Sequence, residues 1–156
     1  MQIPSKARAV IIGGGVIGCS IAYHLGKLGW KDVVLLERKQ LTCGTTWHAA
    51  GLVAQLRNTQ NMTRLAKYSQ ELYFGLEAET GVATGFKRNG SITVALTDER
   101  MEELRRSAAM ARAFGVEIDE IGASDILSCY LDLKVDDAVG GFWLPKVGPS
   151  DPHHLP

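Results

Sequence analysis

A glycine-rich turn near the amino terminus, Gly13-Gly14-Gly15-Val16-Ile17-Gly18, leaves this chain few ways to fold. The residues before it, Ala9-Val10-Ile11-Ile12, form a continuous apolar run of the kind expected for a parallel strand buried on both faces. After it, Ile17, Ile21, Leu25 and Leu28 recur at helical spacing, and Gly29 follows where a helix cap belongs. A second apolar run, Val33-Val34-Leu35-Leu36, ends in an acid, Glu37. Strand, glycine turn, helix and strand thus fit within about 30 residues, the size of a βαβ unit with a right-handed crossover.

Each glycine has a separate physical task. Gly13 permits the tight turn, Gly15 lets backbone approach a pyrophosphate, and Gly18 allows the helix to pack closely on the strand. Gly14, Val16 and Ile17 complete the loop and the first helical turn, whose N–H groups lack intrahelical acceptors and lie at the positive end of the helix dipole. Glu37 stands 19 positions beyond Gly18, where an acid accepts hydrogen bonds from ribose hydroxyls and its charge disfavours a 2′-phosphate. The unit therefore predicts the ADP half of a dinucleotide as ligand, with NAD and FAD equally compatible and NADP disfavoured.

Beyond the second strand the pattern changes. Residues 41–51, rich in Gly, Thr and Ala, read as a loop or a helix start, and Met62, Leu65, Tyr68, Leu72 and Leu76 predict an amphipathic helix, ended by Thr80-Gly81. Asn89-Gly90 predicts a hairpin turn between residues 85–88 and 91–96, which makes an antiparallel sheet. Residues 98–114 predict a helix with Met101, Leu104, Ala108 and Ala111 inward. Short strands are expected at 116–118 and 139–144, a short helix capped by Ser124 between them, and a new helix at Asp151-Pro152. The expected class is α/β: a Rossmann-like βαβ unit with its following loop over 8–52, then the start of an α+β antiparallel-sheet region over 53–156, truncated.

Composition removes other classes. With 46% hydrophobic and 22% charged residues, and seventeen basic side chains against seventeen acidic ones, the chain is neither disordered nor patterned for nucleic acid. No apolar run approaches the roughly 20 residues of a membrane helix. Residues 1–8 lack the apolar centre of a secretion signal, which points to the cytoplasm, or to the mitochondrial matrix if the parent is eukaryotic. Cys19, Cys43 and Cys129 have neither disulfide nor zinc spacing, and His24, His153 and His154 lack further ligands for a metal.

The stretch Glu37-Arg38, followed by Leu41-Thr42-Cys43-Gly44-Thr45-Thr46-Trp47-His48-Ala49-Ala50-Gly51-Leu52, resembles the FAD-dependent dimethylglycine and sarcosine dehydrogenases of the D-amino-acid oxidase-like superfamily. The similarity continues through Leu76-Glu77-Ala78-Glu79-Thr80-Gly81, Arg88-Asn89-Gly90-Ser91-Ile92 and Gly140-Gly141-Phe142-Trp143-Leu144-Pro145, so it covers nearly the whole chain. Around Tyr130-Leu131-Asp132-Leu133 and Val147-Gly148-Pro149-Ser150 it departs from that pattern.

This resemblance implies an enzyme that moves hydride from the carbon beside an amine to the flavin, with an N-methyl amino acid as substrate class and an electron acceptor it does not identify. FAD is the implied cofactor, contacted by Arg38, Thr45, Thr46, Ala50, Gly51 and Leu52 as well as by the glycine turn and Glu37. His48 falls where mitochondrial relatives carry the flavin covalently. The resemblance also implies an amino-terminal fragment, inactive alone, of a longer protein with a tetrahydrofolate-binding carboxyl-terminal region. An alternative is a non-catalytic protein similar to the regulatory subunit of pyruvate dehydrogenase phosphatase, which uses the same architecture; His48 and Gly51 favour the enzyme. No catalytic residue beyond the flavin attachment is implied within this chain.

Overall fold

A computed structural model describes residues 4–150 and divides the chain into two compact units. The first comprises residues 4–51 with 82–84, and the second comprises 52–81 with 85–150.

In the first unit, strand β1 (Ala9–Ile12) leads through the glycine turn into helix α1 (Val16–Lys27) and returns as β2 (Val33–Leu36), parallel to β1 with Ala9 opposite Val33 and Ile12 opposite Leu36. Gly29, at φ 81°, ends α1. Its N–H bonds the Gly26 carbonyl while that of Trp30 bonds Leu25, the paired bonds of a Schellman cap. Only one face of this two-stranded sheet is covered within the unit. Ile11 is buried near Gly18, whereas Val10 is 55% and Ile12 87% exposed, so the expectation of a strand buried on both faces does not hold here. Successive side chains of a strand alternate between faces, and α1 occupies one of them.

The second unit is an antiparallel sheet with helices. Strand β3 (Leu52–Val53) precedes helix α2 (Gln60–Thr80) and pairs with the last strand; β4 (Ser91–Ala95) is followed by α3 (Asp98–Ala113), β5 (Asp119–Ile121), α4 (Ala123–Cys129), β6 (Gly140–Leu144) and β7 (Gly148–Pro149). Sheet order is β4-β6-β5, with Ser91 opposite Leu144 and Asp119 opposite Trp143. Thr59 and Thr97 cap α2 and α3, their hydroxyls accepting the N–H of Met62 and Arg100 at 3.4 and 3.2 Å. Met101, Leu104, Ala108 and Ala111 of α3 face inward, as their spacing predicts, and meet Ala95, Val116, Ile118 and Phe142 in the core.

Several expectations are corrected. Residues 85–88 form no strand with 91–95. The N–H groups of Lys87 and Gly90 bond the carbonyls of Pro149 and Val147 instead, and β4 pairs with β6, whose approach no local turn signal reveals. Val116 and Ile118 are buried but lie before the strand, which forms at Asp119–Ile121. Gly122, not Ser124, precedes α4, and its N–H donates to the Asp125 carboxylate at 3.0 Å. On α2 the buried residues are Thr63, Gln70 and Leu76, while Met62, Leu65 and Tyr68 are exposed. Polar bonds turn that helix: Thr63 bonds the Arg57 backbone in both directions, and the Gln70 amide donates to the Lys146 carbonyl and accepts from Gln55. Residues 151–156, including Asp151-Pro152 and the paired histidines, lie outside the described residues.

Phe142 is 1% exposed at the centre of this core. Phe142→Ala is expected to lower unfolding free energy by about 3–5 kcal/mol, read as a lower denaturation midpoint at unchanged slope.

Candidate dinucleotide site

The site is built where β1 stops. Gly13 turns the chain at φ 102°, and its N–H still reaches the Leu36 carbonyl at 2.8 Å, extending the parallel ladder by one residue. A Cβ on Gly18 would collide with the Gly13 carbonyl oxygen, so the helix lies on the turn only because position 18 carries no side chain. Gly15 is the N-cap of α1, in extended conformation and with no side chain to accept a first-turn N–H. Thr46 supplies the missing acceptor, its hydroxyl taking the Val16 N–H at 3.0 Å from 30 residues away. Thr46 is buried in the 3-10 turn Thr45–His48.

Glu37 closes the other side. One carboxylate oxygen accepts the Gly14 N–H at 2.8 Å and the other accepts the Lys39 N–H at 2.9 Å. These bonds, that from Gly14 foremost, lower its pKa below the ordinary value of 4.5, and the Arg38 charge adds to the effect. Thr42 completes the ring of contacts by donating its N–H to the Gly14 carbonyl at 2.8 Å, and the Trp47 N–H returns to Thr42 at 3.2 Å. Burial pushes the Cys19 thiol pKa up, assisted by the charge of Glu37, so Cys19 remains a protonated packing group beside the Gly14 carbonyl.

The structure therefore brings Gly13, Gly14, Gly15, Val16, Gly18, Glu37 and Thr46 together. Arg38 follows Glu37 and is exposed, and Ile17 is exposed in the first turn. Thr45, His48 and Ala50 are exposed in the following segment, where the Trp47 and His48 rings meet edge to face at 6.2 Å, and Gly51 turns at φ 74°. Leu52 opens β3 in the second unit. The role of Thr42 had no signal in the sequence, because a threonine at φ 64° is an exception to the preference of the left-handed region for Gly, Asn and Asp. Among the described residues there is no cluster of three or more metal-ligating side chains, and no helix is long and apolar enough to cross a membrane.

The lowered pKa of Glu37 gives a pH signature. Its contribution is present above the ordinary carboxylate value of about 4.5 and is lost as pH falls through the lowered folded-state pKa. The hydrogen-exchange protection factor of the Gly14 amide is expected to drop in that acid window, and Glu37→Gln to remove the dependence.

The sequence matches the family model described as FAD dependent oxidoreductase over residues 8–155. It is 40% identical over 151 residues to mitochondrial sarcosine dehydrogenase of Mus musculus, covering 96% of this chain and 16% of that one. It is 39% identical over 146 residues to the mitochondrial pyruvate dehydrogenase phosphatase regulatory subunit of Mus musculus, covering 94% and 17%. Among solved structures, L-proline dehydrogenase from P. horikoshii superposes with a TM-score of 0.88 at 28% identity, over 97% of this chain and 40% of that one. The chain thus spans less than a fifth of the length of these two curated relatives, and it belongs to the FAD dependent oxidoreductase family.

Proposed function

We propose that this chain holds FAD, and that the protein it represents oxidises the carbon–nitrogen bond of an N-methylated amino acid such as sarcosine or dimethylglycine. The observation that carries the reading is the convergence of Glu37 and the glycine turn: an acid fixed on the Gly14 N–H, beside a helix N-terminus whose cap has no side chain. A pyrophosphate needs backbone donors without bulk, and a ribose needs a fixed anionic acceptor, so the residues present fit the ADP half of the cofactor. FAD, when bound, supplies the two-electron redox chemistry.

The chain's own residues bind and orient. The N–H groups of Gly15, Ile17 and Gly18 hold the phosphates, while Gly13 and Gly14, whose own N–H groups bond Leu36 and Glu37, keep the turn free of side-chain bulk. Glu37 accepts from the ribose hydroxyls, and its negative charge at neutral pH strengthens those bonds. Thr46, already bonded to Val16, keeps the helix start in place, while Arg38, Thr45, Ala50 and Gly51 border the cofactor further along. His48 is the attachment point for a covalent flavin. Its exposed imidazole is a competent nucleophile when neutral, and the neighbouring Ala49, Ala50 and Gly51 add little bulk. The similarity to sarcosine dehydrogenase supports an enzyme, and the similarity to the phosphatase regulatory subunit keeps a non-catalytic binding protein as the second reading.

Three measurements test this. Glu37→Ala is expected to weaken FAD binding about 10- to 100-fold, the loss of a hydrogen bond to a charged group, and equal affinity in a titration of apoprotein overturns the ribose assignment. After acid denaturation of the FAD-bound protein, mass spectrometry of the tryptic peptide 40–57, which contains His48, is expected to show the added mass of the flavin. Unmodified peptide with all flavin in the supernatant reduces His48 to a packing residue and leaves FAD binding intact. Turnover of sarcosine or dimethylglycine with a dye acceptor separates enzyme from binding protein.

A further inference from the structure

The second unit contains a cavity of about 630 Å³ far richer in charge than the core beside it. Four cations line it from four different segments: Lys67 on α2, Arg88 in the loop before β4, Arg112 in the last turn of α3, and Lys146 after β6. Two acids, Glu71 and Glu117, oppose them, an excess of two positive charges in a chain whose basic and acidic residues balance overall. Lys146 pairs with Glu117 at 3.0 Å, which leaves Lys67, Arg88 and Arg112 against Glu71 and the same excess of two.

What sets this cavity apart is that three cations from three segments converge there on neutral partners. Elsewhere on the unit two arginines meet carboxylates, Arg100 bonding Glu103 at 2.6 Å and Arg105 bonding Glu120 at 2.8 Å, while Arg57 and Arg106 donate singly to the Leu56 and Glu102 carbonyls. In the cavity, Lys67 donates to the Gly115 carbonyl at 2.5 Å, Arg112 donates to the Ile118 carbonyl at 3.2 Å, and the Arg88 guanidinium lies 3.7 Å from the centroid of the Phe74 ring. Neutral partners fix the head groups and leave their charge uncancelled. A lysine has three donors and an arginine five, so one bond to a carbonyl does not exhaust either. The cavity wall is set as well, because buried Gln55 is tied to Gln70, and Gln70 to the Lys146 carbonyl.

We infer that this cavity binds a small organic dianion, two phosphate or carboxylate groups joined by a short linker. Two negative charges cancel the local excess, planar guanidinium groups suit both kinds of oxyanion, and the volume lies within the range of small-molecule sites. The site uses none of the residues assigned to FAD.

Calorimetric titration of the whole protein with pyrophosphate and with succinate, at low ionic strength, tests it. At least one probe is expected to bind with a dissociation constant below about 1 mM, the preferred probe identifying the class. Lys67→Gln with Arg112→Gln is expected to weaken binding by roughly tenfold or more at unchanged circular dichroism. Arg88→Gln, at an exposed side chain, is expected to weaken it in the same direction and serves if the double variant does not fold. Arg100→Gln, outside the cavity, should leave affinity within about twofold. Binding unaffected by the cavity variants assigns the probe to another place, such as the glycine turn, and overturns the inference. Equal weakening by Arg100→Gln, or no binding of either probe at about 10 mM, overturns it too.

Discussion

The contact between Gly18 and the Gly13 carbonyl decides the first unit. A strand that turns into a helix within three residues must bring helix backbone against strand backbone, and any Cβ at position 18 would occupy the carbonyl's place. With hydrogen there, α1 lies low over β1, Ile11 is covered, and the first-turn N–H groups rise at the carboxyl end of the sheet. The same closeness creates a deficit. Gly15 cannot cap the helix it begins, and the distant hydroxyl of Thr46 fills that role. Thus the close approach at Gly18 accounts both for the open donors and for the segment 42–48 being drawn back across the turn.

Much of this was legible because it is local. Strand ends, glycine positions and the acid after β2 depend on residues within a few positions of one another, and steric rules act at that range. Helix α3 was legible for a similar reason, since its inward residues are apolar and its outward ones charged, so period and polarity agree. Helix α2 was not. Its periodic apolar residues lie off the buried face, which is occupied by Thr63 and Gln70, and only the positions of Gln55 and Lys146 reveal that an amide belongs there. The hairpin failed for a related reason. Asn89-Gly90 carries the right turn residues, but β4 found its partner nearly fifty residues later, and strand pairing at that separation has no local mark.

In the site itself, Gly13, Gly15, Gly18 and Glu37 could be assigned tasks from spacing alone. Thr46 could not, since a hydroxyl in a loop has many possible acceptor roles and nothing in its spacing points to Val16. Thr42 was less visible still. Its left-handed conformation is sustained by what it bonds, the Gly14 carbonyl on one side and the Trp47 N–H on the other, rather than by its own preference.

The buried amides of α2 bear on how that helix is seated. Apolar surfaces attract without direction, and a helix resting on them can slide or roll by part of a turn at small cost. An amide that donates to one fixed oxygen while accepting from another has a single satisfactory placement in both rotation and translation. Gln70 therefore keys α2 to the segments around Gln55 and Lys146, giving positional uniqueness more than adhesion. An aliphatic residue of similar volume at position 70 would leave the helix bound but free to choose among neighbouring seats, and disorder there would be inherited by β3 and β7, the strands those two segments adjoin.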